Sequence, residues 1–157
     1  MIKGNKYNRN SKSRKILYDN ILFDSNLEIS CYKLLKENNI DFTYNEEKII
    51  LFEGFKFNNV IFYQPNKKKE YMVNNRKVLN TTYTPDFRIN INKEDIIIYI
   101  ETKGKENDVY PLKRKMFLKY LECLSENNGY ICYFFEPHNV TQIKESIDVI
   151  LRIINEE

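Results

Sequence analysis

"YTPDFRININKEDIIIYIETKG", residues 83–104, decides how the rest of the chain is read. Two runs rich in Ile, Phe and Tyr, "YTPDFRI" and "DIIIYIETK", flank the polar "NINKED", so they read as neighbouring strands joined by a turn. Yet Asp86, Glu101 and Lys103 stand at or beside the positions that should be driest. Side chains alternate faces along a strand, which puts Glu101 and Lys103 on one side and Thr102 on the other. Asp86 lies one turn away and can approach Glu101 across the pair. Two carboxylates brought together repel unless something positive lies between them. Cations of the Mg²⁺ type are held by one or two carboxylates, with water and phosphate oxygens in the remaining positions. Lys103 beside such a cation could activate a water and offset charge building on a phosphate. These are the parts needed for phosphodiester hydrolysis. The competing reading, an exposed ion-pair ladder on an edge strand, is the ordinary one for an isolated E-x-K.

Outward from this stretch, the pattern predicts a mixed α/β domain of order α, β, β, β, β, α, β, α, with helices flanking a central mixed sheet. "FDSNLEISCYKLLKENNI" is the first helix: Ser25 suits the N-cap, Glu28 three residues on completes a capping box, and Leu27, Cys31, Leu34 and Leu35 keep helical spacing. "FTYNEEKIILFEGFKFNNVIFYQ" reads as two strands joined near Gly54. "PNKKKEYMVNNRKVLN" is polar and poorly patterned, a loop or a protruding β-ribbon. "PLKRKMFLKYLECLSENNG" is a second helix, with Pro111 in its first turn and Gly129 at the C-cap. "YICYFF" has the continuous apolar run of an interior strand, and "VTQIKESIDVILRIINEE" is an amphipathic helix.

The chain has 157 residues, enough for one domain with a sizeable core, expected over 21–157 behind a basic arm at 1–20. Net charge is only +3, but its placement is uneven: Lys12, Arg14 and Lys15 belong to an opening stretch with no acid before Asp19. A basic arm before a near-neutral domain suits a polyanion binder and equally suits a solvated terminus. No apolar run approaches a membrane span, and no apolar segment follows the N-terminal charges, so secretion is not expected. Cys31, Cys123 and Cys132 are odd in number and form no metal-ligand spacing, which points to buried thiols in a reducing, cytoplasmic setting. His138, the one histidine, follows Pro137 in an apparent loop and reads as a surface residue.

"PD" at Pro85-Asp86 followed by "ETK" at Glu101-Thr102-Lys103 resembles the signature of the PD-(D/E)xK nuclease superfamily. "SNLEISCYKLLKENNIDFTYNEEKI", "YTPDF" and "IETKG", in that order, are similar to the phage endonuclease I family, which resolves Holliday junctions and debranches DNA. The likeness covers roughly residues 25–50 and 83–120, about half the chain. It implies a restriction-endonuclease-like core and a DNA endonuclease dependent on Mg²⁺, for which Mn²⁺ would substitute. Asp86 and Glu101 would be the metal-binding acids, Lys103 the catalytic lysine, and Glu28 an extra active-site acid. For Glu28 the capping box already supplies a reason. The resemblance also implies branched DNA as the substrate, a homodimer with one site per strand, and an intracellular, phage-encoded origin.

The chain departs from that family twice. Thr43 stands where the family carries another acid, and Glu46 or Glu47 is the nearest replacement. Residues 52–80 are longer than the corresponding stretch, and Lys67, Lys68, Lys69, Arg76 and Lys77 there suit a DNA-contacting ribbon or a solvated loop. Lys113, Lys115 and Lys119 on the second helix are candidate phosphate contacts, Lys115 and Lys119 sharing a face at four-residue spacing. The same lysines suit the polar face of any amphipathic helix. Two other functions fit the residues: a sequence-specific duplex endonuclease of the restriction or homing type, reading bases with the insert, and a non-catalytic DNA-binding module.

Overall fold

A computed structural model describes residues 15–73, 77–91 and 95–155. It is mixed α/β, with three helices and a mixed sheet among the described residues, and it divides into two compact units that alternate along the chain. One takes the residues up to Asp41, Thr102–Lys105 and those from Phe135 onward. The other takes Phe42–Glu101 and Glu106–Phe134.

The first unit opens with a hairpin, β1 (Ile16–Tyr18) and β2 (Ile21–Phe23), paired Tyr18↔Ile21 and Ile16↔Phe23. The two loop residues, Asp19 and Asn20, both have positive φ, 50° and 60°, as a type I′ turn requires. The sequence reading had ended a basic arm at residue 20 and put a helix first; instead the chain is already paired from Ile16. Lys12 and Arg14 lie outside the described residues.

Helix α1 (Asn26–Glu37) follows with the expected N-cap. The Ser25 hydroxyl accepts from the Glu28 amide at 3.1 Å, and the Glu28 carboxylate accepts from the Ser25 hydroxyl at 2.8 Å and from the Asp24 amide at 3.0 Å. Helix α3 (Val140–Asn155) starts on a second box that the sequence reading missed. Asn139 Oδ1 accepts from the Gln142 amide at 2.9 Å, and Gln142 Oε1 accepts from the His138 amide at 2.7 Å. The two helices pack together, with Ile29, Cys31, Tyr32 and Leu35 of α1 and Ile143, Ile147 and Ile150 of α3 all buried.

The second unit holds β3 (Thr43–Tyr44), β4 (Ile49–Phe52), β5 (Tyr63–Pro65), β6 (Tyr71–Val73), β7 (Thr81–Tyr83), β8 (Phe87–Ile91), β9 (Ile96–Ile100) and α2 (Tyr110–Asn128). With β10 (Ile131–Phe135) the main sheet runs β10-β9-β8-β3. β8 is antiparallel to both β3 and β9. The Ile131 amide donates to the Asp95 carbonyl at 3.1 Å, so β10 starts where β9 starts and runs parallel to it, the direction an α2 crossover imposes. α2 ends at Gly129, whose φ of 75° is the left-handed C-cap expected of glycine.

On one face of this sheet Ile97 and Tyr99 form a core with Ile49, Tyr83 and the α2 residues Tyr110, Phe117 and Leu121. Phe117 is its hub, 4.7 Å from the Tyr83 ring and 5.2 Å from those of Tyr99 and Phe134. On the opposite face Phe87 is buried under Phe42 and Tyr44, at 5.6 and 5.2 Å.

Among the described residues seven strands stand between α1 and α2 where four were expected, because two expected strands break and a third region pairs with itself. "YTPDFRI" divides into β7, paired with β4, and β8, paired with β3 and β9. Pro85 supplies no N–H for a ladder at that point. The first strand after α1 breaks at Asn45, which has a φ of 53° and donates its amide to the Asp86 carbonyl at 2.8 Å. Within 52–80, β5 and β6 form a ribbon of their own. The base of that segment is clasped: Phe55 and Val78 exchange backbone hydrogen bonds of 3.0 and 2.8 Å, and the Gly54 amide donates to Asn80 Oδ1 at 2.8 Å. A Cβ at Gly54 would sit 2.4 Å from the Val78 carbonyl oxygen, so only glycine allows this approach.

Candidate active site

The β8–β9 register pairs Phe87 with Ile100 and Arg88 with Tyr99. The ladder ends at Phe87↔Ile100, so Asp86 comes just before β8 begins and Glu101 just after β9 ends, at the same end of the pair. Both carboxylates act on the Tyr83 hydroxyl, and Tyr83 belongs to the core that Tyr99 and Ile97 form under α2. Glu101 is buried and Asp86 half-buried.

Tyr83 is the third member of the group. Its ring is pinned on Phe117 and its hydroxyl is buried, close to the Glu101 carboxylate though not in good hydrogen-bond geometry with it. Burial raises its pKa far above the ordinary phenol value, and the charges of Glu101, Tyr110 and Asp86 raise it further. The phenol therefore stays protonated at any working pH, a neutral donor facing two acids. No motif in the sequence singles out this tyrosine. The signal that could have singled out Tyr83 was its position three residues before Asp86.

Glu47 is held by two partners. It accepts from the Tyr99 hydroxyl at 2.9 Å and pairs with Arg88 at 3.0 Å, while the Arg88 guanidinium lies 5.9 Å from the Tyr99 ring centroid. Burial, then the hydrogen bond to Glu47, raises the Tyr99 pKa. Glu47, one of two candidates to replace the acid missing at Thr43, is thus engaged in bracing β8 and β9. Glu46 is exposed.

Glu28 and Lys103 belong to the first unit. Glu28 is buried, and its carboxylate serves the capping box described above. Lys103 is half-buried, and its amide donates to the Pro137 carbonyl at 3.0 Å. In the same unit His138, exposed as expected, has a companion the sequence did not suggest: its Nε2 lies 3.4 Å from Glu136.

The candidate phosphate-binding cations differ among themselves. Lys113 donates its ammonium to the Thr82 carbonyl at 3.0 Å and so ties α2 to β7. Lys115 and Lys119 are exposed. Arg114 is bound to Glu106 at 2.9 Å. Lys15 pairs with Asp24 at 3.5 Å.

Residues 5–129 match the family model described as a protein of unknown function, DUF1064. The chain belongs to that family. No curated protein and no solved structure gives a significant match. In this DUF1064 chain the matched region contains Asp86, Glu101, Lys103 and Tyr83 and stops at the C-cap of α2, before β10 and α3. No helix among the described residues is long and apolar enough to cross a membrane. None of the three cysteines forms a disulfide; Cys31 is buried and the others are half-buried.

Proposed function

We propose that this protein is a divalent-metal-dependent DNA endonuclease with a restriction-endonuclease-like core, acting on branched DNA such as Holliday junctions, as a homodimer. One observation carries the reading: Asp86 and Glu101 flank the same end of the β8–β9 pair, and both bear on the buried Tyr83 hydroxyl, whose pKa they help to raise. Neighbouring carboxylates repel, and a cation shared between them removes that cost. An all-oxygen donor set of two acids, with the remaining coordination positions going to water and phosphate oxygens, is the kind that suits Mg²⁺ or Mn²⁺. Such a cation polarises a phosphate and withdraws charge from it. Asp86 and Glu101 would hold the cation, with the buried Tyr83 hydroxyl close to the Glu101 carboxylate. Lys103 takes its role from the "ETK" sequence, two residues after Glu101, where a lysine offsets charge developing on the phosphate. Glu28 contributes through its cap or as a further acid, and Glu28→Gln separates the two, since Gln keeps the capping box but carries no charge.

The test uses purified protein, Mg²⁺, and two labelled substrates of equal length, a four-way junction and a linear duplex. Symmetric cuts near the junction, absent from the duplex and abolished in Lys103→Ala and Glu101→Gln, are the expected result. Cleavage of the duplex at discrete positions moves the assignment to a sequence-specific endonuclease. No cleavage with Mg²⁺ or Mn²⁺ overturns the enzymatic reading and leaves a non-catalytic DNA-binding module.

A further inference from the structure

Segment 52–80 carries six basic residues and two acids, more than the whole chain's net excess of +3. Its tip is a built turn. Asn66 Oδ1 accepts from the Lys68 amide at 2.8 Å and the Glu70 amide at 3.1 Å, and the backbones of Asn66 and Glu70 are joined at 2.8 Å. This turn holds Lys67, Lys68 and Lys69 outward, all exposed and with no acid paired to them among the described residues. Behind the tip the register Tyr63↔Val73 and Pro65↔Tyr71 puts these four side chains on one face of the ribbon, with Gln64 and Met72 on the other. That first face is uncovered: Tyr71 is 75% exposed and Tyr63 57%. Phe52 and Phe62 meet neighbouring phenylalanines edge to face, whereas Tyr63 and Tyr71 make no ring contact with another aromatic among the described residues.

We infer that this ribbon is a docking surface for DNA with unpaired bases, Tyr63 and Tyr71 stacking on base faces while Lys67, Lys68 and Lys69 hold the phosphates. Charge and surface chemistry select the occupant. A second copy of the chain would cover the tyrosines but would bring a second set of unpaired lysines against the first. An acidic protein surface would answer the lysines and leave the rings in water. Single-stranded DNA supplies both anions at regular spacing and flat rings that a duplex keeps stacked away. Tyr63 and Tyr71 are diagonal neighbours on their face, about 7–8 Å apart, which leaves room for a base to enter between them. The inference rests on the nuclease reading for its choice of DNA and narrows the substrate to branches that carry a single-stranded arm.

Binding is measured on the full-length protein without divalent ions, so that cleavage plays no part. A failure of catalysis then leaves this test standing, and a failure here leaves the catalytic reading to its own test. The probe is a labelled oligothymidylate, compared with a duplex of equal phosphate count, by fluorescence anisotropy across a salt series. Tighter binding of the single strand is expected. Tyr63→Ala and Tyr71→Ala should each weaken it on the order of tenfold, with the duplex little changed. Tyr→Phe at both positions should restore it, because the stacking face is kept. Lys67→Ala/Lys68→Ala/Lys69→Ala should lower the slope of log K against log salt by about 2. Equal losses on single strand and duplex, or unchanged binding in both sets of variants, would overturn the inference. So would a concentration-dependent dimer that the two tyrosine substitutions abolish, because the face would then belong to a second copy.

Discussion

Strand β9 and the β5–β6 ribbon are made of similar residues and meet opposite fates. β9 is "IIIYI", buried at all five positions; the ribbon presents "YQP" and "YMV", exposed at all six. Both contain strand-forming residues, all five in β9 and Tyr63, Tyr71 and Val73 in the ribbon, and these suit a pleated surface wherever it lies. What differs is the cover. β9 lies between β8 and β10 and carries α2 against one face, while the ribbon pairs only with itself. In β9 the apolar residues are accounted for by the core, and the unexpected feature is the acid that ends it. In the ribbon the apolar residues are themselves unexpected, because water surrounds them.

If that contrast is right, substitutions should separate the two regions in stability. Phe117→Ala, at the ring junction over β9, should cost about 3–5 kcal/mol in a urea denaturation experiment. A cost near zero would mean that α2 does not seal that face. Ser25→Ala, which removes the N-cap of α1 but touches no core side chain, should cost about 1 kcal/mol by the same measurement. Tyr32 offers an effect visible only in alkali. Its hydroxyl donates to Asp19, and this bond, helped by burial, pushes its pKa up from the usual 10 to about 12. A phenol whose folded pKa is raised contributes stability that is complete below about pH 10 and lost as the pH rises through about 12. Phenolate absorbance should show, among the tyrosines that titrate late, one near 12 that moves back toward 10 in Asp19→Asn. Smallest of all, Tyr71→Ala on the ribbon should change stability by no more than about 0.5 kcal/mol, whatever it does to binding. A larger loss would show that the ribbon's rings are packed in solution.

The parts legible from sequence were those with local chemical punctuation. Ser25 with Glu28 marked the start of α1, and Pro111 with Gly129 bracketed α2, each within a residue or two, because caps act through the adjacent backbone. Two apolar runs separated by one polar turn made the β8–β9 pairing foreseeable. The breaks were harder. Pro85 was read as part of a nuclease motif rather than as the end of a ladder, and Asn45 gave no warning of its positive φ. The Asp19-Asn20 turn was a hairpin signal hidden among basic residues taken for an arm. Glu47 could not have been placed from alternation alone, since its partners Arg88 and Tyr99 lie far along the chain. Tyr83 was hidden for a similar reason: its hydroxyl matters only because a distant helix holds its ring.

The clasp at Gly54 makes residues 56–77 a cassette. They leave and return through one bonded pair, Phe55 and Val78, so the rest of the second unit does not need them to close its chain path. Replacing the cassette by a short turn would lower the loop-closure entropy by well under the worth of a core residue, because that entropy grows only with the logarithm of length. A shortened protein should therefore fold with β4 and β7 still paired, and a cassette of different composition could be grafted onto the same two residues. What the molecule binds could then change by exchange of one segment, with Asp86 and Glu101 left where they are.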